Sequence, residues 1–170
     1  MKSELMTDFS VDKENNTVKV RKGFMTPLKH VWAAWTEKKL LDQWWAPKPW
    51  KSETKAMDFR VGGRRLYAMV SPEGEKHWSF ADYKSITPKT NFKFRDGFCD
   101  SGGNLNHNMP QSNWNVNFAE SDGLTTVYVE IQHEELSDLE TIIEMGFKEG
   151  FTAILEELAE ILPTRSLSDL

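Results

Sequence analysis

Side chains capable of acid–base or metal chemistry are scattered along this chain. Its four histidines, His30, His77, His107 and His133, lie far apart and lack the spacing of metal ligands. The single cysteine, Cys99, has no partner for a disulfide, and the sequence has no nucleophile motif or phosphate-binding glycine loop. We therefore predict no catalytic, metal-binding or cofactor-binding residues, and we lean towards a protein that is not an enzyme.

Polar residues near a glycine pair are better candidates for binding chemistry. Arg65 and Tyr67 share one face of a predicted strand after Gly62-Gly63, but the opposite face is equally apolar, so either face can point inwards. A buried Arg65 would need a carboxylate partner or a ligand anion, because an unpaired buried charge is costly. Asp58 and Arg60 flank the glycine pair and are predicted to form a structural ion pair.

Aromatic residues are the most informative part of the composition. The chain has 7 Trp and 10 Phe, which is more large aromatic surface than the core of such a domain needs. Core packing explains any single ring, but the whole set indicates a cavity for a flat or apolar ligand. The predicted cavity lining is Trp32, Trp35, Trp44, Trp45, Trp50, Arg65, Tyr67, Met69, Phe80, Trp114, Phe147 and Phe151.

The first third of the chain predicts strand structure followed by two short helices. Residues 17–21 alternate apolar and polar side chains, as a half-buried strand does. Thr26-Pro27 begins the first helix as a cap followed by a first-turn proline, and Thr36 caps the second. We expect the following segment, Trp44 to Pro47, to be exposed, which makes it a candidate contact in a homodimer.

The remainder predicts a run of strands and then one long helix. Strands are expected at 51–60, 64–70, 76–86, 92–95, 114–118 and 124–133. The polar stretch 97–112, together with Asp96, predicts a long loop that could gate a pocket. Ser137 and Glu140 form a capping box, and apolar residues at steps of three and four predict a single helix from Ser137 to about Leu162.

This order of elements predicts an α+β fold, in which one long helix covers an antiparallel sheet. All 170 residues are expected to form one domain with a core of about residues 9–162. A net charge of −5 without a dense basic run argues against nucleic-acid binding. There is no apolar run long enough for a signal peptide or a membrane span, and a lone cysteine suits the reducing cytoplasm, which is the predicted location.

Several segments also resemble a known family. Five segments resemble, in this order, motifs of the SRPBCC superfamily, the START-like and birch-pollen-allergen-like group. They are residues 31–36, 41–47, 58–63, 72–74 and 145–151. Within it they resemble the branch named after the activator of the heat-shock-protein-90 ATPase. The resemblance extends from about Phe9 to Leu162, although relatives usually place an aromatic residue where this chain has Arg65.

The resemblance implies a helix-grip fold, a curved antiparallel sheet wrapped around a long C-terminal helix, with two short helices after the first strand and an apolar cavity. Family members bind lipids, hormones or polyketide-like molecules, and the eponymous protein stimulates a chaperone ATPase. We therefore expect a non-catalytic binding module for a small apolar ligand. Two alternatives stay open: a protein-interaction module that stimulates a chaperone, and a cyclase- or hydrolase-like enzyme that uses the same cavity.

Overall fold

The computed structural model describes residues 5–163, and it has one curved eight-stranded sheet with helices on its concave side. The strands are β1 (Asp8–Asp12), β2 (Thr17–Phe24), β3 (Lys51–Met57), β4 (Arg64–Val70), β5 (Lys76–Thr87), β6 (Asn91–Cys99), β7 (Ser112–Ser121) and β8 (Leu124–His133). The helices are α1 (Leu28–Thr36), α2 (Lys38–Leu41), α3 (Leu136–Glu144) and α4 (Phe147–Ile161). This is the predicted helix-grip fold.

All neighbouring strands are antiparallel, in the order β1-β2-β8-β7-β6-β5-β4-β3. The bounds of β4, predicted from its flanking turns, and of β8, predicted from its alternating pattern, are those observed. The predicted loop 97–112 is too long, because β6 continues through Cys99 and β7 begins at Ser112. Asp96 therefore lies inside a strand, and its side chain belongs to the concave face of the sheet.

The prediction of one continuous C-terminal helix is wrong. The chain breaks between α3 and α4 at Gly146, whose φ of 92° is a left-handed conformation that glycine adopts without a steric penalty. The predicted capping box is also wrong, because α3 begins one residue before Ser137 and Glu135 precedes it without a side-chain capping hydrogen bond. Only α4 lies across the core.

The predicted starts of the two short helices are shifted. Pro27, and not Thr26, precedes α1, and the free amide of Leu28 donates to the Glu120 carboxylate at 2.9 Å. Thr36 is the last residue of α1 instead of the cap of α2. An extended Glu37, with φ of −110°, separates the two helices.

The segment after α2 was predicted to be exposed, and this is wrong. Trp44 and Trp45 are only 1% and 7% exposed, because both rings pack under the sheet. The Trp44 indole N–H donates to the Ala34 carbonyl at 3.0 Å, which ties the segment to α1. The predicted dimer contact therefore loses the exposed surface on which it rested.

The core lies between the concave face and α4. The buried side chains of α4 pack there against the inward side chains of β2, β7 and β8; they are Phe151, Ile154, Leu155 and Leu158. None of the helices within residues 5–163 is long and apolar enough to cross a membrane.

Candidate ligand-binding cavity

A cavity of about 260 Å³ remains between the sheet and the α3–α4 break. The inward side chains of β4 to β8 form its floor, and α3 and α4 form its roof. Its walls are mainly apolar, and its lining residues are Trp45, Pro47, Tyr67, Met69, His77, Ser79, Asp96, Phe98, Pro110, Ser112, Trp114, Ile131, His133, Ile142, Met145, Gly146, Phe147, Gly150, Phe151 and Ile154.

Half of the predicted cavity residues lie on these walls. They are Trp45, Tyr67, Met69, Trp114, Phe147 and Phe151. The Phe147 and Phe151 rings stack at 5.2 Å between centroids, and the Phe151 ring meets the Trp114 ring edge-on at 5.5 Å. Whether these residues bind a ligand stays a prediction.

Three of the other predicted residues pack in a separate aromatic cluster. Trp35 contacts Trp44 at a centroid distance of 4.9 Å, and Trp32 contacts Phe118 at 5.0 Å. Trp45 joins this cluster to the cavity, since its ring lies 5.8 Å from Trp35 on one side and faces the cavity on the other. Trp32, Trp35 and Trp44 are therefore core residues of the neighbouring region, away from the cavity walls.

Arg65 points inwards, but it lies beside the cavity rather than on its wall. Its side chain is 3% exposed and forms an ion pair with Asp42 at 3.4 Å, so the carboxylate partner that a buried arginine needs is present. Its guanidinium also donates to Ser52 at 3.0 Å and Thr54 at 3.2 Å. It lies 4.0 Å from the centre of the Tyr67 ring, which fixes that ring at the cavity wall.

The last two predicted residues lie outside the cavity. The Trp50 ring packs beside the His77 ring at 5.3 Å. Phe80 faces the opposite side of the sheet, where the Arg64 guanidinium covers its ring at 4.3 Å. The first half of the 100–111 loop folds onto this outer side, since Gly103 accepts a hydrogen bond from Arg64 at 2.9 Å. Only its end, at Pro110, reaches the cavity, so most of this loop cannot gate it.

A polar group at the cavity floor was not predicted. Asp96 accepts hydrogen bonds from the Ser112 amide at 3.2 Å and from the Ser112 hydroxyl, both at Oδ1. The Trp114 indole N–H donates to the same hydroxyl at 3.2 Å. Burial raises the pKa of Asp96 to about 6, although the Ser112 and Trp114 hydrogen bonds and the Arg95 charge oppose this shift.

His133 is the second unpredicted polar group. It ends the inward face of β8 and is 4% exposed. Neither ring nitrogen has a partner at normal hydrogen-bond geometry among residues 5–163, although the Gln111 backbone lies near enough to the ring to affect its pKa. Burial lowers the pKa of His133, while Asp138 and the Gln111 backbone oppose the shift. The imidazole is therefore neutral near pH 7 and offers one donor and one acceptor.

Strand register places these groups in one row. The successive register partners across β4 to β8 are Arg65, Ala81, Asp96, Ser112 and His133. The signal for His133 was present in the sequence, because it continues the alternation of the inward face of β8. Asp96 gave no such signal, since its strand was predicted to end one residue earlier.

The cavity opens beside exposed side chains. His77, at its rim, has a side chain that is 56% exposed, as expected for a solvated histidine near a strand end. Met145, at the helix break, is 55% exposed. Within the described chain, no three or more His, Cys, Asp or Glu side chains lie close enough together to hold a metal ion.

Solved structures similar to this one cover nearly the whole chain. A protein from Mycobacterium smegmatis is 26% identical, with a TM-score of 0.85 over 94% of this chain and 98% of that one. A protein from Arthrobacter aurescens is 25% identical, with a TM-score of 0.85 over 89% of this chain and 88% of that one. The AHSA1 protein from Silicibacter pomeroyi shares the fold. It is 22% identical, with a TM-score of 0.67 over 85% of this chain and 95% of that one.

No curated protein matches this chain. The sequence profile of the family described as "Activator of Hsp90 ATPase homolog 1-like protein" matches residues 25–163, which include α1, α2, most of the sheet and both C-terminal helices. The chain therefore belongs to this family, the branch of the SRPBCC superfamily that its sequence motifs indicated.

Proposed function

We propose that this protein is a cytoplasmic binding module that holds a small apolar molecule in the cavity beneath α4. The observation that carries the proposal is a space of about 260 Å³ whose walls are built mainly from aromatic and aliphatic side chains. Ligand pockets in proteins have this composition, with a few polar groups that orient the ligand. Burial of apolar ligand surface against the Trp114, Phe147 and Phe151 rings supplies the driving force.

The size of the cavity sets the size of the ligand. An engineered apolar cavity of about 150 Å³ binds benzene, so a space of about 260 Å³ suits a substituted single ring or a short-chain amphiphile. A longer lipid-like chain would extend past the exposed Met145 and His77 into solvent. A compact apolar molecule therefore fits better than a long one.

Tryptophan fluorescence tests this proposal, because Trp45 and Trp114 lie on the cavity wall. Titration with naphthalene-sized apolar compounds should shift or quench the emission and saturate. Ser79→Leu adds volume to the wall and should weaken binding by at least tenfold, whereas Ala119→Leu, on an exposed position of β7, should leave it unchanged. The absence of saturable binding across a broad apolar panel would refute the proposal.

The family description favours a second candidate function, stimulation of a chaperone ATPase through a protein contact. This function would use an outer surface, and it would not need an open cavity. Purified protein added to the chaperone should then raise its ATPase rate in a saturable way. The Ser79→Leu variant distinguishes the two candidates, because filling the cavity should leave this stimulation unchanged.

The polar floor favours a third candidate, an enzyme that transfers protons inside the cavity. Asp96 and His133 both have perturbed pKa values, which is frequent among acid and base groups of active sites. Incubation of the protein with each compound that binds, followed by mass spectrometry, separates the candidates. A binding module returns the compound unchanged, whereas an enzyme converts it at a rate that Asp96→Asn lowers.

A further inference from the structure

Two polar side chains at the cavity floor, His133 and Asp96, face the space that a ligand would occupy. His133 is more than nine-tenths buried and lines the cavity, and neither of its ring nitrogens has a partner at normal hydrogen-bond geometry among the described residues. A buried neutral imidazole without partners is unfavourable, since both its donor and its acceptor lose their bonds to water. A ligand atom that bonds to it would remove this penalty.

Asp96 supplies a complementary acceptor on the same row. Its Oδ1 accepts hydrogen bonds from the Ser112 amide and hydroxyl, and the carboxylate keeps further lone pairs that can accept from a ligand. Ser112 lies between Asp96 and His133 in the register, so the two side chains rise from strands separated by about 10 Å, twice the usual spacing of neighbouring strands. A polar ligand group above Ser112 would therefore lie between the two side chains.

The charges around the cavity discriminate among possible head groups. An anionic group would face the Asp96 carboxylate, and no Lys or Arg is among the residues that line the cavity. An ammonium group would have to leave water for a mainly apolar cavity, which costs far more free energy than the transfer of a neutral polar group. A hydroxyl group both donates and accepts, and it therefore matches the pair.

We infer that the cavity binds an apolar molecule with one neutral hydroxyl group, a phenol or an alcohol, whose oxygen lies between Asp96 and His133 at the floor. The apolar body of the molecule then packs against Trp114 and Phe147 under α4. This inference deepens the proposed function and rests on it.

Isothermal titration calorimetry with four matched probes tests the inference: p-cresol, toluene, 4-methylbenzylammonium and 4-methylbenzoate. The wild-type protein should bind p-cresol about tenfold more tightly than toluene, as one or two net hydrogen bonds allow, and should bind both ions more weakly than p-cresol. His133→Phe and Asp96→Leu should reduce the p-cresol preference to about twofold or less while toluene still binds. Ala119→Leu, at an exposed position of β7 away from the cavity, should keep the preference.

Nitrogen NMR of the wild-type histidine rings provides a readout that does not depend on the folding of a variant. The His133 ring resonances should move on addition of p-cresol and stay in place with toluene. Equal affinity for p-cresol and toluene, tighter binding of either ion, or a preference that survives in both variants would overturn the inference. If neither p-cresol nor toluene binds and naphthalene-sized compounds also fail, the proposed function itself is wrong.

Discussion

The space beneath the concave sheet has two halves that are built differently. In one half, the Trp35, Trp44 and Phe118 rings pack against one another, and the void beside Trp35 is about 20 Å³, enough for one water molecule. In the other half, the same sheet and the same helix α4 leave about 260 Å³ open. Trp45 lies at the boundary and contacts both halves.

The difference follows from which elements supply side chains. The helices α1 and α2 and the segment after them fill the first half with indole rings. Above the second half lie α3, α4 and the break between them, where Gly146 contributes no side chain. A row of polar residues, including Asp96 and His133, lies beneath, and these short or polar groups cannot fill the volume. The filled half stabilises the fold, and the open half is available for a ligand.

Truncation of a ring in the filled half should produce the largest effect. Trp35 is 2% exposed, and Trp35→Ala should lower the free energy of unfolding by about 3–5 kcal/mol, because the surrounding rings cannot collapse into the space. Urea denaturation measures the change. We expect ligand affinity to be retained in the folded fraction.

The matched change in the open half is Phe147→Ala. Phe147 is only half-buried and already borders open space, so the loss of stability should be about 1–2 kcal/mol. The main effect of Phe147→Ala should be a lower affinity of the protein for apolar ligands. Equal losses of stability in the two variants would show that the two halves do not differ in packing.

Removal of the partner of Arg65 should have the next largest effect. Asp42 is the carboxylate that pairs with this buried guanidinium, and it also accepts hydrogen bonds from the Ser52 hydroxyl at 2.9 Å and the Thr54 amide at 3.0 Å. Asp42→Ala should cost about 3 kcal/mol, because an uncompensated charge stays buried beside Tyr67. Chemical denaturation measures this loss.

Two further variants sharpen this result. Adding Arg65→Leu to Asp42→Ala should restore part of the lost stability, because the unpaired charge is then removed. Asp58→Ala breaks the exposed ion pair with Arg60 and should cost less than about 1 kcal/mol. A loss as large in Asp58→Ala as in Asp42→Ala would argue against the importance of burial.

The smallest expected effect is a pH dependence that is confined to the open half. The pKa of Asp96 in the fold is about 6, above its ordinary value of 3.8, so its contribution to stability is full below about pH 4 and is lost as the pH rises through about 6. The stability of the wild type relative to Asp96→Asn should therefore increase by about 1–2 kcal/mol as the pH falls across this range.

His133 should show the opposite sign. Its pKa is lowered from 6.5, so its contribution to stability is present above this value and is lost as the pH falls further. Relative to His133→Phe, the wild type should lose stability on acidification. Denaturation curves at several pH values measure both differences. The stability difference between the wild type and Trp35→Ala should not change with pH, because this variant keeps both titrating groups. Parallel pH profiles for all the proteins would contradict the assignment of these two groups to a buried floor.

Local patterns in the sequence were sufficient for most of the fold. The turn residues on either side placed β4 at its observed bounds, and the alternation of apolar and polar residues did so for β8, because both signals lie in neighbouring residues. The family motifs identified the helix-grip arrangement. The conformation at Gly146 could not be inferred in this way, since glycine is compatible with both a helix interior and a break.

The cavity depended on the tertiary structure. Tryptophan composition indicated a surplus of aromatic surface, but a ring that fills a core and a ring that borders a void look the same in sequence, so Trp35 and Trp114 could not be separated. The partner of Arg65 comes from a different element, at Asp42. Asp96 and His133 lie two strands apart in one row because β6, β7 and β8 align in register. Such long-range pairing is set by the packing of the whole sheet.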